Sequence, residues 1–141
     1  MKRLVFIAGI TALFTSCETL EKSQATDCPP RMCTEEFRAV SVKFIDSNGS
    51  PVKVKNYTSI NKRTNASMLK GYVPDTVTSE GIALVASDAN LADISEAGDS
   101  VIVTGKHPVS NKTVRGSFFI TGGKCSCHIS KVSGPSELAF N

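Results

Sequence analysis

The placement of the cysteines constrains the fold of this chain more than any other feature of its sequence. Beyond Cys17, four cysteines stand in two close pairs at opposite ends of the remaining chain, Cys28 with Cys33 and Cys125 with Cys127. An even number of cysteines in an exported protein favours disulfide bonds. On a strand, Cys125 and Cys127 would share one face, and a bond between them would need a strained small ring. We therefore expect each of them to bond one cysteine of the first pair, with a local Cys28–Cys33 bond as the alternative.

The first sixteen residues are typical of an export signal. Lys2 and Arg3 precede an apolar stretch over residues 4–14, which is shorter than the roughly 20 residues that a membrane-spanning helix needs. Two small polar residues then precede Cys17, and this arrangement resembles the lipobox of bacterial lipoproteins, whose cysteine is acylated after cleavage. The resemblance implies a signal peptide over residues 1–16 and a lipid anchor on Cys17 that holds the protein to a membrane of the bacterial cell envelope, in our interpretation the outer membrane. An ordinary signal peptide followed by a coincidental cysteine is the alternative.

Charge and composition divide the mature chain into a tether and a domain. Residues 17–36 are polar and lack hydrophobic periodicity, so we interpret them as the lipidated cysteine and a flexible tether, of which residues 28–36 lead into a domain over residues 37–141. Without Lys2 and Arg3, the 16 basic residues become 14 against 13 acidic ones, which is a net charge of +1. Because no long basic run occurs either, we expect no nucleic-acid binding.

The domain shows the period-two alternation of β-strands. Val40, Val42 and Phe44 alternate with polar residues and predict a half-buried strand. A turn-forming run and a second alternating stretch follow, so residues 37–60 predict a β-hairpin. A short helix capped by Asp88 is expected, and further strands are predicted over residues 81–86, 101–104, 113–121, 125–132 and 138–140. Five to seven short strands with so little helix predict an all-β, antiparallel β-sandwich that disulfides staple.

The turn of the predicted hairpin carries a family resemblance. The run from Asp46 to Val52 reads Asp-Ser-Asn-Gly-Ser-Pro-Val, and with its flanking strands it resembles the opening hairpin of carboxypeptidase-regulatory-like (transthyretin-like) domains. This resemblance implies a seven-stranded sandwich of a kind often found on exported bacterial proteins. Residues 125–135 are similar to the end of small bacterial lipoproteins.

Two groups of residues have side chains that bind metal ions. The paired cysteines together with His128 offer the ligands that zinc takes, but His128 would point to the strand face opposite Cys125 and Cys127. The second group is acidic and consists of Asp88, Asp93, Glu96 and Asp99. It lacks the glycine and the terminal glutamate of a calcium-binding EF-hand loop. We therefore expect disulfides and a solvated acidic face, with no metal ion and no other cofactor.

Catalytic signatures are missing from the sequence. No Gly-x-Ser-x-Gly nucleophile motif occurs, and Gly122-Gly123-Lys124 lacks the flanking residues of a phosphate-binding loop. His107 precedes a proline, and we interpret it as a solvated loop residue. We therefore expect no catalytic residue and no enzyme activity.

Aromatic and hydroxyl residues bear on sugar chemistry, because exposed rings stack on bound sugars. Three rings are expected in the core: Phe44, Phe118 and Phe140. The rings left for the surface are Tyr57, Tyr72 and either Phe37 or Phe119. The pairs Asp75-Thr76 and Asp99-Ser100 resemble the O-glycosylation acceptors of exported bacterial proteins.

Together these features predict a non-catalytic exported lipoprotein that acts as an envelope accessory or protein-interaction module. Its expected partners are membrane lipid, through acylated Cys17, and an envelope protein that no motif in the sequence identifies. A metal-binding exported protein and a carbohydrate-binding module are the alternatives.

Overall fold

The computed structural model describes residues 28–70 and 77–141, so the predicted signal peptide, Cys17, Tyr72 and the Asp75-Thr76 pair lie outside the described residues. Within these two ranges the elements are β1 (Ala39–Ile45), β2 (Lys55–Asn61), β3 (Ile82–Ser87), a 3₁₀ helix (Asp88–Asp93), β4 (Asp99–Lys106), β5 (Thr113–Thr121), β6 (Ser130–Ser133) and β7 (Glu137–Ala139). One sheet has the strand order β3-β1-β7 and the other β2-β4-β5-β6. The predicted all-β sandwich is confirmed.

The core follows from the alternation of side chains along the strands. Strand β1 buries Val40, Val42 and Phe44, while Ser41 is exposed and Lys43 partly exposed, as the period-two pattern predicts. Strands β4 and β5 bury their own alternating apolar residues toward the same interior. The predicted core rings are confirmed, since Phe44 and Phe118 are completely buried and Phe140 is 7% exposed.

The predicted hairpin over residues 37–60 is wrong, because β1 and β2 belong to different sheets. The turn itself forms, since the Asp46 carboxylate accepts hydrogen bonds from the backbone N–H groups of Asn48 and Ser50, each at 2.8 Å. Pairing then stops after one bridge, between Ile45 and Pro51. On the side of β1 where the turn pairs, the strand already has Gly81 and β3 beside it, since the Phe44 N–H donates to the Gly81 carbonyl at 2.8 Å and Lys43 aligns with Ile82. Beyond the bridge the chain buries Val52 and Val54 while it crosses to the second sheet.

Strand β7 pairs with β1 in parallel, aligning Lys43 with Glu137 and Ile45 with Ala139. The expected short edge strand at residues 138–140 is therefore present, but its direction differs from the antiparallel prediction. The chain changes sheets between β6 and β7 at Gly134. This position requires glycine, because its φ is +131 and a Cβ atom there would lie 2.6 Å from the Phe118 ring. Because the strand crosses without reversing its direction, it meets β1 in parallel.

Two local predictions are corrected by the structure. The strand expected over residues 125–132 begins only at Ser130, and both cysteines lie in the preceding turn. The helix cap is Ser87 rather than Asp88, and the Asn90 side chain accepts a hydrogen bond from the Ser87 N–H at 3.1 Å. In the parts of the chain that the structure describes, no helix has the length and apolar character needed to cross a membrane.

Candidate functional site

Two disulfides join the start of the domain to the turn before β6. Cys28 is bonded to Cys125 and Cys33 to Cys127, with Cα atoms 5.1 and 5.3 Å apart. This is the predicted pairing, and the alternative bond between Cys28 and Cys33 is absent. All four thiols are consumed by these bonds, so they do not provide the thiolate ligands that a zinc site needs. We call residues 28–36 and 125–128, which the two bonds hold together, the clasp.

A line of polar side chains crosses the clasp beside the second disulfide. The His128 ring places Nδ1 2.7 Å from Oδ2 of Asp88 and Nε2 3.0 Å from Oγ1 of Thr34. The side chains of His128 and Asp88 are only 11% and 12% exposed. An ionised carboxylate can only accept, so Nδ1–H donates to Asp88 and, in the neutral ring, the Thr34 hydroxyl donates to Nε2. The sequence analysis considered His128 as a candidate zinc ligand, whereas in the fold its ring joins three separate segments of the chain.

Asp88 has the most hydrogen-bond partners in this line of side chains. Its carboxylate also accepts the backbone N–H of Arg38 at 2.8 Å and that of Ile129 at 2.8 Å. Burial by itself would raise the pKa of Asp88, but the hydrogen bonds from Arg38, Ile129 and His128 outweigh it and hold the pKa below its ordinary value. Asp88 therefore fastens the start of β1 and the start of β6 to the 3₁₀ helix, and it is neither a cap nor part of a solvated face.

The order carboxylate, imidazole, hydroxyl is also the order of a hydrolase triad. Here the hydroxyl belongs to Thr34, on the exposed leading segment of the clasp. The cavity lined by residues 37–40 and 129–131 includes neither Thr34 nor His128. The contacts of His128 support a fastening role for its ring.

The other acidic residues of the predicted patch separate in the fold. Asp99 is 4% exposed and accepts hydrogen bonds from Arg63 at 2.7 Å and from the Asn61 amide at 2.8 Å. The guanidinium of Arg63, against the opposing effect of burial, lowers the pKa of Asp99 to about 2. Asp93 pairs with Lys70, and Glu96 accepts the N–H of Cys125. The expected solvated acidic face is therefore wrong for Asp99, and the described residues contain no group of three or more His, Cys, Asp or Glu placed to hold a metal ion.

Several surface assignments from the sequence also change. His107 is partly buried, and its Nδ1 accepts the N–H groups of Val109 and Ser110, each at 3.2 Å. Its ring packs edge-to-face with Phe140, with 5.1 Å between the ring centroids. It is a turn-forming residue rather than a solvated one. Tyr57 is buried, its hydroxyl donates to the Leu84 carbonyl at 2.7 Å, and burial raises its pKa, so it offers no platform for sugars.

Among the remaining expected surface groups, Phe37 is 70% exposed, whereas Phe119 is partly buried. In the Asp99-Ser100 pair, Ser100 is exposed on β4 but its neighbouring carboxylate is turned inward to Arg63. Among the members of the predicted sugar-related set that lie in residues 28–70 and 77–141, the Phe37 ring and the Ser100 hydroxyl are therefore exposed.

A cavity of about 420 Å³ opens beside the clasp, between β1 and β6. It is lined by residues 37–40 at the start of β1 and by residues 129–131 at the start of β6. We call it the edge groove. The edge groove lies between the part of β1 that β7 does not cover and β6, the outer strand of the other sheet. Sequence patterns do not reveal that these two strands lie near each other. The lining of the groove carries two cations, Arg38 and Lys131, and no carboxylate.

The whole chain, which includes the clasp and the edge groove, was compared with known proteins. Neither the protein-family models, nor the curated proteins, nor the solved structures gave a match.

Proposed function

We propose that the protein is a non-catalytic lipoprotein of the bacterial cell envelope, anchored through acylated Cys17, whose sandwich acts as a protein-interaction module. The observation that carries this proposal is the clasp. Two covalent bonds fasten the segment that emerges from the tether onto the far end of the domain sequence. Disulfides of this kind persist in oxidising compartments such as the periplasm.

The clasp also limits how far the domain stands from its anchor. Eleven peptide steps separate Cys17 from Cys28, the first residue of the clasp. A fully extended chain of that length reaches about 40 Å at most. The sandwich of an acylated protein would therefore stay close to the membrane surface. The edge groove and the clasp belong to this domain and would stay close to the membrane with it.

A non-catalytic role is supported by the state of the chemically capable side chains. The four thiols of the clasp are disulfide-bonded, and His128 is held between two partners. The two-sheet architecture is compatible with the transthyretin-like family that the Asp46 turn resembles, and we propose this family as the origin of the domain. The metal and carbohydrate alternatives receive no such support from the contacts around His128 and Tyr57.

The test is metabolic labelling with palmitate, combined with membrane fractionation, in a bacterial host. We expect the wild type to be labelled and membrane-bound. Cys17→Ala should abolish the label and leave precursor or released protein, whereas the matched control Ser16→Ala, which keeps a small residue before the cleavage site, should behave as wild type. An unlabelled wild-type protein that fractionates as Cys17→Ala does would refute the anchor.

A second measurement separates the module from a thiolate-metal protein. Native mass spectrometry of the oxidised mature protein should show the mass of two disulfides, without a bound metal ion. Retention of zinc together with free thiols would refute the proposal.

A further inference from the structure

Strand β1 has a complete neighbour on only one side. Strand β3 pairs with it along Ala39–Lys43, whereas β7 covers its other side only at Lys43–Ile45. On the β7 side, residues 39–42 therefore have no strand partner among residues 28–70 and 77–141. Ala39 and Val40, at the start of this half of β1, line one wall of the edge groove, and Ser41 follows directly after them.

Backbone groups of alternate residues point to the open side. Toward β3, Arg38 exchanges hydrogen bonds with Asp88, and the Phe44 N–H donates to the Gly81 carbonyl at 2.8 Å. Toward β7, the Lys43 N–H donates to the Ser136 carbonyl at 3.0 Å. Strand alternation therefore directs the N–H and C=O groups of Ala39 and Ser41 to the open side. An extended backbone is the partner that satisfies such a row of donors and acceptors.

The opposite wall of the groove is β6, the outer strand of the other sheet, and all its residues are exposed. The cavity of about 420 Å³ between the walls lies within the size range of ligand pockets, roughly 300–1,000 Å³. Two apolar side chains of this region stay uncovered, since Phe37 is 70% and Val132 is 60% exposed. The groove therefore offers apolar contact in addition to the open strand.

The charge of the groove favours an acidic occupant. Arg38 is paired with Glu36. Lys131, by contrast, has no carboxylate partner among the described residues, and its Nζ donates to the Pro135 carbonyl at 3.1 Å and lies over the Phe118 ring. A second copy of this chain would bring a second Lys131 to the same place, and like charges oppose such pairing.

We propose that the edge groove binds an acidic, extended segment of a partner protein, which adds as a strand to the open side of β1 at residues 39–42. The inference rests on the proposed function and names the class of partner that the module takes. Main-chain hydrogen bonds to Ala39 and Ser41 provide the binding, the pocket next to Phe37 receives an apolar side chain, and Lys131 selects for acidic side chains.

The probe is a fluorescent ten-residue peptide of alternating Glu and Val, measured by anisotropy against the full mature protein in detergent. Ser41→Pro removes one of the two backbone N–H groups that face the open side, at an edge position where proline is tolerated. We expect it to weaken binding at least tenfold, whereas the matched control Ser41→Ala, which keeps the N–H, should bind as wild type. Lys131→Glu, at an exposed position, should also weaken binding at least tenfold, and it keeps the test decisive if Ser41→Pro does not fold.

Three outcomes would overturn the inference. One is wild-type binding by folded Ser41→Pro or Lys131→Glu. Another is equal or tighter binding of a control peptide of ten residues in which Lys and Val alternate. A third is a stable dimer of the mature protein, found by light scattering and lost in Ser41→Pro, because a second copy would then occupy the groove. Acylation of Cys17 is read separately by palmitate labelling, so failure of the anchor and failure of peptide binding are distinguishable.

Discussion

Replacing Asp99 by Asn tests the buried ion pair with Arg63 and its dependence on pH. The pKa of Asp99 is about 2 in the folded protein, against an ordinary value near 3.9 in an unfolded chain. Because the folded pKa is the lower one, the ionised carboxylate stabilises the fold above about pH 4, and this contribution is lost as the pH falls toward 2. A shift of this size corresponds to about 2 kcal/mol of unfolding free energy at neutral pH.

The measurement is urea denaturation of the wild type and of Asp99→Asn at pH 6, 4 and 2. Protonation of other carboxylates, Asp88 among them, destabilises both proteins in acid, so the difference between the two isolates Asp99. We expect the wild type to lose about 2 kcal/mol more than Asp99→Asn between pH 6 and pH 2. Arg63→Ala should flatten the pH dependence in the same way, since the guanidinium is the main cause of the low pKa of Asp99. Parallel pH profiles for the wild type and Asp99→Asn would refute the reasoning.

Two further predictions concern the clasp. Loss of either disulfide alone, for example in a Cys28→Ser, Cys125→Ser protein, should cost about 2 kcal/mol of unfolding free energy, because the surviving bond still closes the long loop, whereas loss of both should cost about 7 kcal/mol in the chain-entropy model. Denaturant titration with and without a reducing agent measures this, and additive losses would contradict it. His128→Gln should cost about 1.5–3 kcal/mol, the range for a hydrogen bond to a charged group, while palmitate labelling and peptide binding stay at wild-type levels; Thr34→Val, which removes only the exposed partner, should cost less. Loss of envelope function in a folded, oxidised His128→Gln protein would contradict the non-catalytic proposal and favour the metal-binding alternative.

The fold class could be predicted from the sequence because it depends on local patterns. Alternation in β1 identifies the buried face without any knowledge of the neighbouring strands, and the core positions of Phe44 and Phe118 follow from it. The disulfide pairing was also accessible, although for an incomplete reason. Cys125 and Cys127 lie in a turn rather than on a strand, yet they still bond the first pair of cysteines.

Tertiary structure determines which strands lie side by side and which residues meet in the clasp. An alternating pattern indicates which side chains are buried, but it carries no information on which strand lies beside which. The sequence therefore predicted a hairpin where β1 and β2 separate, and it could not foresee the parallel β7 or the open half of β1.

The polar contacts of the site depend on the same long-range decisions. Asp88 and His128 are 40 positions apart, and no spacing rule links them. Asp99 and Arg63 are 36 positions apart, and their pairing turns an apparently solvated acid into a buried one. The sequence by itself determined the class of the fold and the disulfide framework, and it predicts a lipid anchor that stays a prediction. The packing of distant segments decided the edge groove and the clasp contacts, because hydrogen bonds between side chains form only after the sheets have brought those segments together.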